Sequence, residues 1–314
     1  MSQTETGLRA ALEPRLMGAV GNAFEALDFD ACRYAGNWLG LALYGALGRR
    51  RGIAVNNIRL ALGVSSARAN QLARRSCVNF GMTFAEFMHA RVASPAEIRR
   101  RCSEAGFEHV ENGFAAGKGV ILLTAHVGNW ELMGASAAQR LSLTVVARPT
   151  SNAGVQSFID AARAAQNVAV ISKYENGRAP LRVLKRNEAL GILPDQHAGN
   201  EGALLPFFGQ PTRVWTALAR LALLSGARVV PAFGVRRRPF LSDGRIVARI
   251  FPGWNVESAG DKEAAVLDGT RRVVGELENI IRAHPDQWLW LHRRWREADG
   301  AKVPSSNAGR IAHS

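Results

Sequence analysis

His126 stands in the run Ala125-His126-Val127-Gly128-Asn129-Trp130-Glu131, directly after the apolar stretch Gly119–Thr124 (GVILLT). An apolar run without polar alternation reads as a strand buried on both faces. Asn129 is a helix-capping residue type, so Glu131 falls in the first turn of the next helix, where free N–H groups and the helix dipole favour a carboxylate. Open α/β sheets bind ligands beyond the carboxyl ends of their strands. The spacing therefore predicts a His126 presented to a substrate, with Gly128 allowing a turn that folds Glu131 back onto it. A His–carboxylate pair is a general base: the carboxylate fixes the tautomer and stabilises the imidazolium, while the other ring nitrogen takes a proton from a hydroxyl. That hydroxyl would attack an activated acyl group directly, since the chain has no G-x-S-x-G nucleophile elbow. His-x4-Glu alone is equally the pattern of a structural or surface pair. No further His or Cys falls at metal-ligand spacing, so no metal is expected.

Further stretches share the order and spacing of a known family. ILLTAHVGNWELMG resembles the His-x4-acid box of the lysophospholipid acyltransferase superfamily, in the HxGNWE form of the lipid A lauroyl/myristoyl acyltransferases. Ala147-Arg148-Pro149 with Asn152 is similar to the family's Arg-Pro segment. Pro194-Asp195-Gln196-His197, Glu201-Gly202 and Pro206-Phe207-Phe208-Gly209 are similar to its DQ…G…PFFG block. Gln287-Trp288-Leu289-Trp290 with His292-Arg293-Arg294-Trp295 resembles its closing motif, and Arg49–Asn57 also matches. The resemblance covers roughly residues 40–297 and implies O-acyl transfer from acyl carrier protein or acyl-CoA to a hydroxyl of a lipid A precursor or similar glycolipid. It implies His126 as base with Glu131 as partner, no cofactor beyond the acyl donor, and a place on the cytoplasmic face of the inner membrane. Another acceptor of the same superfamily is the alternative: a phosphatidylinositol mannoside, an ornithine-type lipid or a lysophospholipid.

The expected substrate-binding set is Arg148, Asn152, Asp195, Gln196, Glu201 and Arg293. Arg148 follows a strand on the same sheet edge as His126, placed either to clamp a phosphate or to make a salt bridge. Asp195 and Gln196 follow another strand and either reach the crevice or build a turn on Pro194. Glu201 could pair with Arg148 or orient the acceptor. Phe207 and Phe208 read as acyl-tunnel lining or as core. Arg293 is the cation of its run expected to touch ligand, and His197 reads as structural.

Strands expected at Gly119–Thr124, Leu143–Ala147, Val168–Ile171, Leu190–Leu193, Arg228–Phe233 and Ile246–Phe251 alternate with helices. That order argues an α/β fold with a largely parallel central sheet flanked by helices, preceded by an N-terminal helical membrane-associating region. The expected units are a basic helical region over 1–101, a catalytic unit over 102–299 and a flexible tail over 300–314. Tyr34–Gly48 (YAGNWLGLALYGALG) is too short to span a bilayer and ends in Arg49-Arg50-Arg51. It suits either a helix lying in the membrane interface or a buried core helix, and a monotopic or peripheral protein is expected.

The 314 residues carry a formal net charge of +14, and all but five of the 40 cations are arginine. Between Cys32 and Arg101 stand twelve arginines against two acids, Glu86 and Glu97. Such an excess points to an anionic partner: a membrane surface, an acidic carrier protein, a phosphorylated substrate or nucleic acid. No nucleic-acid recognition motif accompanies it, so nucleic acid is not expected. A solvated arginine-rich surface is the other reading. Three cysteines without a CxxC pair suggest neither a disulfide framework nor a zinc site.

Overall fold

The computed structural model describes residues 18–150, 152–175, 177–237 and 244–296. Helices come first. α1 (Phe29–Ala46) starts on Asp28, whose carboxylate accepts from the Ala31 N–H. α2 (Gly48–Leu62) stops at Gly63, which takes a left-handed conformation (φ 64°). α3 (Ser66–Ala90) and α4 (Pro95–Arg101) are capped by the hydroxyls of Ser65 and Ser94. Glycines let α1 lie close against α3: a Cβ on Gly36 would come within 2.6 Å of the Met82 Cα, and one on Gly40 within 2.5 Å of the Val78 Cα. The face of α1 with Cys32, Gly36 and Gly40 is thereby buried. Tyr34, Trp38 and Ala42, four residues apart, stay exposed on the other side. The helix expected at Tyr34–Gly48 is thus half core and half surface. No helix of the described residues is long and apolar enough to cross a membrane. The first residues of the expected helical region and the tail lie outside the described residues.

From Cys102 onward strands alternate with helices: β1 (Cys102–Ala105), α5 (Glu108–Phe114), β2 (Val120–Leu123), α6 (Trp130–Ala137), β3 (Leu143–Ala147), α7 (Ala153–Ala165), β4 (Val168–Ser172), α8 (Arg178–Lys185) and β5 (Ala189–Ile192). Then come β6 (Ala203–Phe207), β7 (Gln210–Val214), α9 (Ala217–Ser225), β8 (Arg228–Arg236), β9 (Ile246–Ile250) and α10 (Lys262–Ala283). Seven strands form one sheet in the order β1-β9-β8-β2-β5-β3-β4. β8, β2, β5, β3 and β4 run parallel, β9 is antiparallel to β8, and β1 is parallel to β9. This is the expected α/β architecture with a largely parallel sheet. β2 is buried at every position, and its side chains alternate between two cores. Val120 and Leu122 join Val110 and Leu143 on the α5 side, while Ile121 and Leu123 join Leu184, Leu218 and Leu277 on the α8–α10 side.

Three elements were not legible beforehand: β1, α5 and the β6–β7 hairpin. The hairpin sets Pro206 opposite Pro211 in a sheet of its own, where no further neighbour needs their missing N–H groups. It turns on Phe208 and Gly209, both at positive φ (53° and 73°), as a tight two-residue hairpin requires. Phe207 and Phe208 are buried against Trp295 and so belong to the core rather than to a tunnel wall.

Candidate active site

β2 and β5 are neighbours in the sheet, so the loops leaving their carboxyl ends meet. From the first comes His126, from the second Asp195. The His126 Nδ1 lies 2.9 Å from Asp195 Oδ1, and the His126 backbone N–H donates to Oδ2 at 3.0 Å. The Trp288 indole N–H also donates to Oδ2, at 2.8 Å. Burial would push the Asp195 carboxyl up, but the charge of His126 and these donors outweigh it and hold the group near a pKa of about 2. An ionised carboxylate only accepts, so Nδ1 carries the hydrogen and Nε2 is left to accept a proton. Burial pulls the His126 pKa down; the charge and hydrogen bond of Asp195 overcome it, and the net shift is upward. The ring is 22% exposed and packs edge-on against Trp130, 4.9 Å between centroids.

Glu131 was the partner expected for His126, and here the structure differs. Placed in the first turn of α6, its carboxylate turns to α7 and takes both the Nε and an Nη of Arg163, at 3.2 and 2.7 Å. The Trp130 indole adds a third donor, 3.1 Å from Oε1. The physical reason is competition: a fixed guanidinium fork satisfies both oxygens, while Asp195 already holds Nδ1. Glu131 still acts on His126 through space, its charge adding to the upward shift.

A buried polar lattice holds the loop between His126 and α6. Gly128 sits at φ 62°, and a Cβ there would lie 2.0 Å from the Gly234 carbonyl oxygen, so only glycine fits. Its carbonyl accepts from Asn79 and Thr83 of α3, and its N–H donates to the Gln287 carbonyl. Asn129 caps α6 through the Leu132 N–H and donates to Glu86 at 2.6 Å. Glu86, fully buried, is held by both Nη atoms of the buried Arg236, whose Nε donates to Asn79. The closing motif joins in, Gln287 bonding both the N–H and the carbonyl of Arg236.

A cavity of about 980 Å³ opens at His126. Arg148, Gln196 and Glu201 line it, and no carboxylate among the described residues pairs with Arg148. Asp195 lies behind His126 as its partner rather than on substrate. Asn152 does not line the cavity; its side chain accepts from the Gly154 and Val155 N–H groups and caps α7. Arg293 is exposed and also off the wall, whereas its neighbours His292 and Arg296 line it. Burial drives the His292 pKa down to about 4, leaving it neutral, and its Nε2 accepts from the His197 N–H. Nothing in the sequence singled out Arg163, whereas Trp288 and His292 belong to the closing motif and only the structure gives them a place at the site. The cysteines offer no nucleophile: all three are buried, with pKa values pushed up to about 11 or 12 by burial.

At the carboxyl ends of neighbouring parallel strands, a histidine whose Nδ1 is held by a carboxylate can take a proton from a hydroxyl through Nε2. Residues 9–297 match the model of the bacterial lipid A biosynthesis acyltransferases, and the chain belongs to that family. It is similar to the phosphatidylinositol mannoside acyltransferase of Mycobacterium tuberculosis H37Rv, 27% identical over 251 residues covering 76% of this chain and 75% of that protein. It is 24% identical to the lipid A biosynthesis palmitoleoyltransferase of Escherichia coli K12 over 273 residues, 86% of each chain. The lauroyltransferase of the same bacterium is 25% identical over 251 residues, 79% of each. The relatives are acyltransferases, and so is this protein.

Proposed function

We propose that the protein moves a fatty acyl chain from acyl carrier protein or acyl-CoA to a hydroxyl of a lipid A precursor or similar glycolipid. The observation that carries this reading is the Asp195-held His126 at the mouth of a large, mainly apolar cavity. His126 Nε2 takes the proton of the acceptor hydroxyl as its oxygen bonds to the thioester carbonyl carbon. The C–S bond then breaks, and the proton passes from the imidazolium to the departing thiolate. Asp195 stabilises the imidazolium between the two transfers. Arg148 and Lys173 at the mouth suit phosphates of donor or acceptor. One branch of the cavity runs between the sheet and α5–α6, walled by Val110, Leu122, Met133, Leu143 and Ala248, all buried. Its enclosed form suits the donor's acyl chain. The similarity to the mycobacterial enzyme supports a second reading, with a phosphatidylinositol mannoside as acceptor.

The exposed Tyr34 and Trp38, with Arg49 and Arg50 at the start of α2, support a membrane-associating N-terminal region, peripheral at the cytoplasmic face of the inner membrane. The test is transfer of radiolabelled acyl chain from acyl carrier protein or acyl-CoA to a panel of purified glycolipids, wild type against His126→Ala. Label reaching a lipid with wild type alone is the expected result. Equal transfer by the variant would overturn the mechanism.

A further inference from the structure

The cavity does not end on one face of the sheet. Val145 of β3 and Gly191 of β5 line the enclosed branch, and the next residues, Val146 and Ile192, line the cavity too. Successive strand residues point to opposite faces, so a second branch lies on the α8–α9 side. Val146 and Ile192 pack with that side's core. Its outer wall is Leu181 of α8 with Ala217, Leu221 and Leu224 of α9. The α9 residues stand at i, i+4 and i+7, a stripe about 10 Å long on one helix face.

The two branches differ in kind. Leu122 and Leu143 in the first are 7% and 4% exposed, whereas Leu224 and Tyr174 along the second are 60% and 66% exposed. The α8–α9 side of the cavity is thus bordered by exposed apolar side chains, and the same cavity reaches His126. We propose that this second branch holds an acyl chain of the acceptor lipid, so that the two reacting lipids reach His126 from opposite faces of the sheet. The proposal rests on the acyl-transfer reading above. An enclosed branch admits only a chain threaded in by its free end. An open groove takes a chain from the side while the sibling chains remain in the bilayer. Continuity with the catalytic cavity fixes the occupant as a reactant. The Lys173 ammonium lies over the Trp215 ring at 4.7 Å and Arg148 lines the same cavity, cations that suit an anionic lipid head group.

The test is photolabelling of the full chain in phosphatidylcholine vesicles with two diazirine probes, a palmitoyl-CoA and a long-chain lysophosphatidylglycerol, followed by peptide mapping. The lysolipid is expected to label α8 and α9, and palmitoyl-CoA to label α5 and α6. Excess unlabelled lysolipid should remove the first signal and spare the second. Leu221→Arg, which sets a charge in the groove, should cut lysolipid labelling about tenfold or more. Its retained palmitoyl-CoA label reports that it folds. Gly134→Leu should do the converse, because a Cβ at Gly134 meets nothing nearer than Leu143 at 3.9 Å and its side chain would fill the enclosed branch. Lysolipid label in the enclosed branch, no lysolipid label at all, or label undiminished in Leu221→Arg would each overturn the proposal. Labelling needs no turnover, so a failure of the acyl-transfer reading would show separately, in the His126→Ala assay.

Discussion

At the scale of single residues, the charge of Asp195 and the burial of His126 set the pH response. A base at His126, as proposed, works only with Nε2 unprotonated. Its pKa is shifted upward, so kcat/KM should fall with decreasing pH on an acid limb lying above the ordinary histidine value of about 6.5. Asp195→Asn removes the charge that overcomes burial, and burial then lowers the pKa. The acid limb should move to lower pH while kcat drops by roughly 10²–10⁴, since the tautomer is no longer fixed. Glu131→Gln should displace the limb in the same direction but less, because the Glu131 charge acts on His126 after both interactions of Asp195. Paired pH–rate profiles of the two variants decide which carboxylate governs the base. A larger displacement in Glu131→Gln would reverse the assignment. The sequence could not choose between them: Glu131 is a near neighbour of His126 in the chain, while Asp195 is brought in only because β5 pairs with β2, a fact of sheet order.

Elements explain why the loop stays where the chemistry needs it. Asn79, Thr83 and Glu86 lie on one face of α3 at i, i+4 and i+7, polar positions on the buried side of a helix. That spacing was visible in the sequence and is the signal by which the lattice could have been found. Its centre, Glu86–Arg236, is a buried ion pair, and breaking such a pair from one side costs about 3–5 kcal/mol. Glu86→Leu should therefore lower stability by that order in urea unfolding. Glu86→Leu with Arg236→Met should regain much of it, because no buried charge is left uncompensated. Activity of the double variant should stay well below wild type, since the Asn129 side chain and the Gly128 turn lose partners that stability alone does not restore. Full activity would show that the lattice serves folding only. The parallel strands were legible because unbroken apolar runs such as GVILLT have few other uses. β1 (CSEA) was not, being a short edge strand with little apolar signal, and prolines hid β6 and β7.

For the whole molecule, the question is how the site at His126 would meet a lipid held in a bilayer. α2 ties the basic surface to the site. Asn57 donates to the Trp290 and His292 carbonyls, and Arg50 to that of Leu291, while His292 lines the cavity. Arg50 therefore sits on the side of the molecule where the cavity's closing motif lies, and on α1 the Arg33 guanidinium lies over the exposed Tyr34 ring at 4.5 Å. A surface with aromatic side chains beside cations should bind anionic bilayers by two separable contributions. Arg49→Gln with Arg50→Gln should weaken binding to phosphatidylglycerol vesicles by about 1 kcal/mol per arginine and reduce its salt dependence. Trp38→Ala should weaken binding to phosphatidylglycerol and phosphatidylcholine vesicles alike, with the salt dependence unchanged. Co-sedimentation across a salt series reads both. If neither variant shifts the bound fraction, this face does not meet the membrane, and a raised KM of the same variants for the acyl carrier protein donor alone would assign the arginine excess of the N-terminal helices to an acidic carrier protein instead.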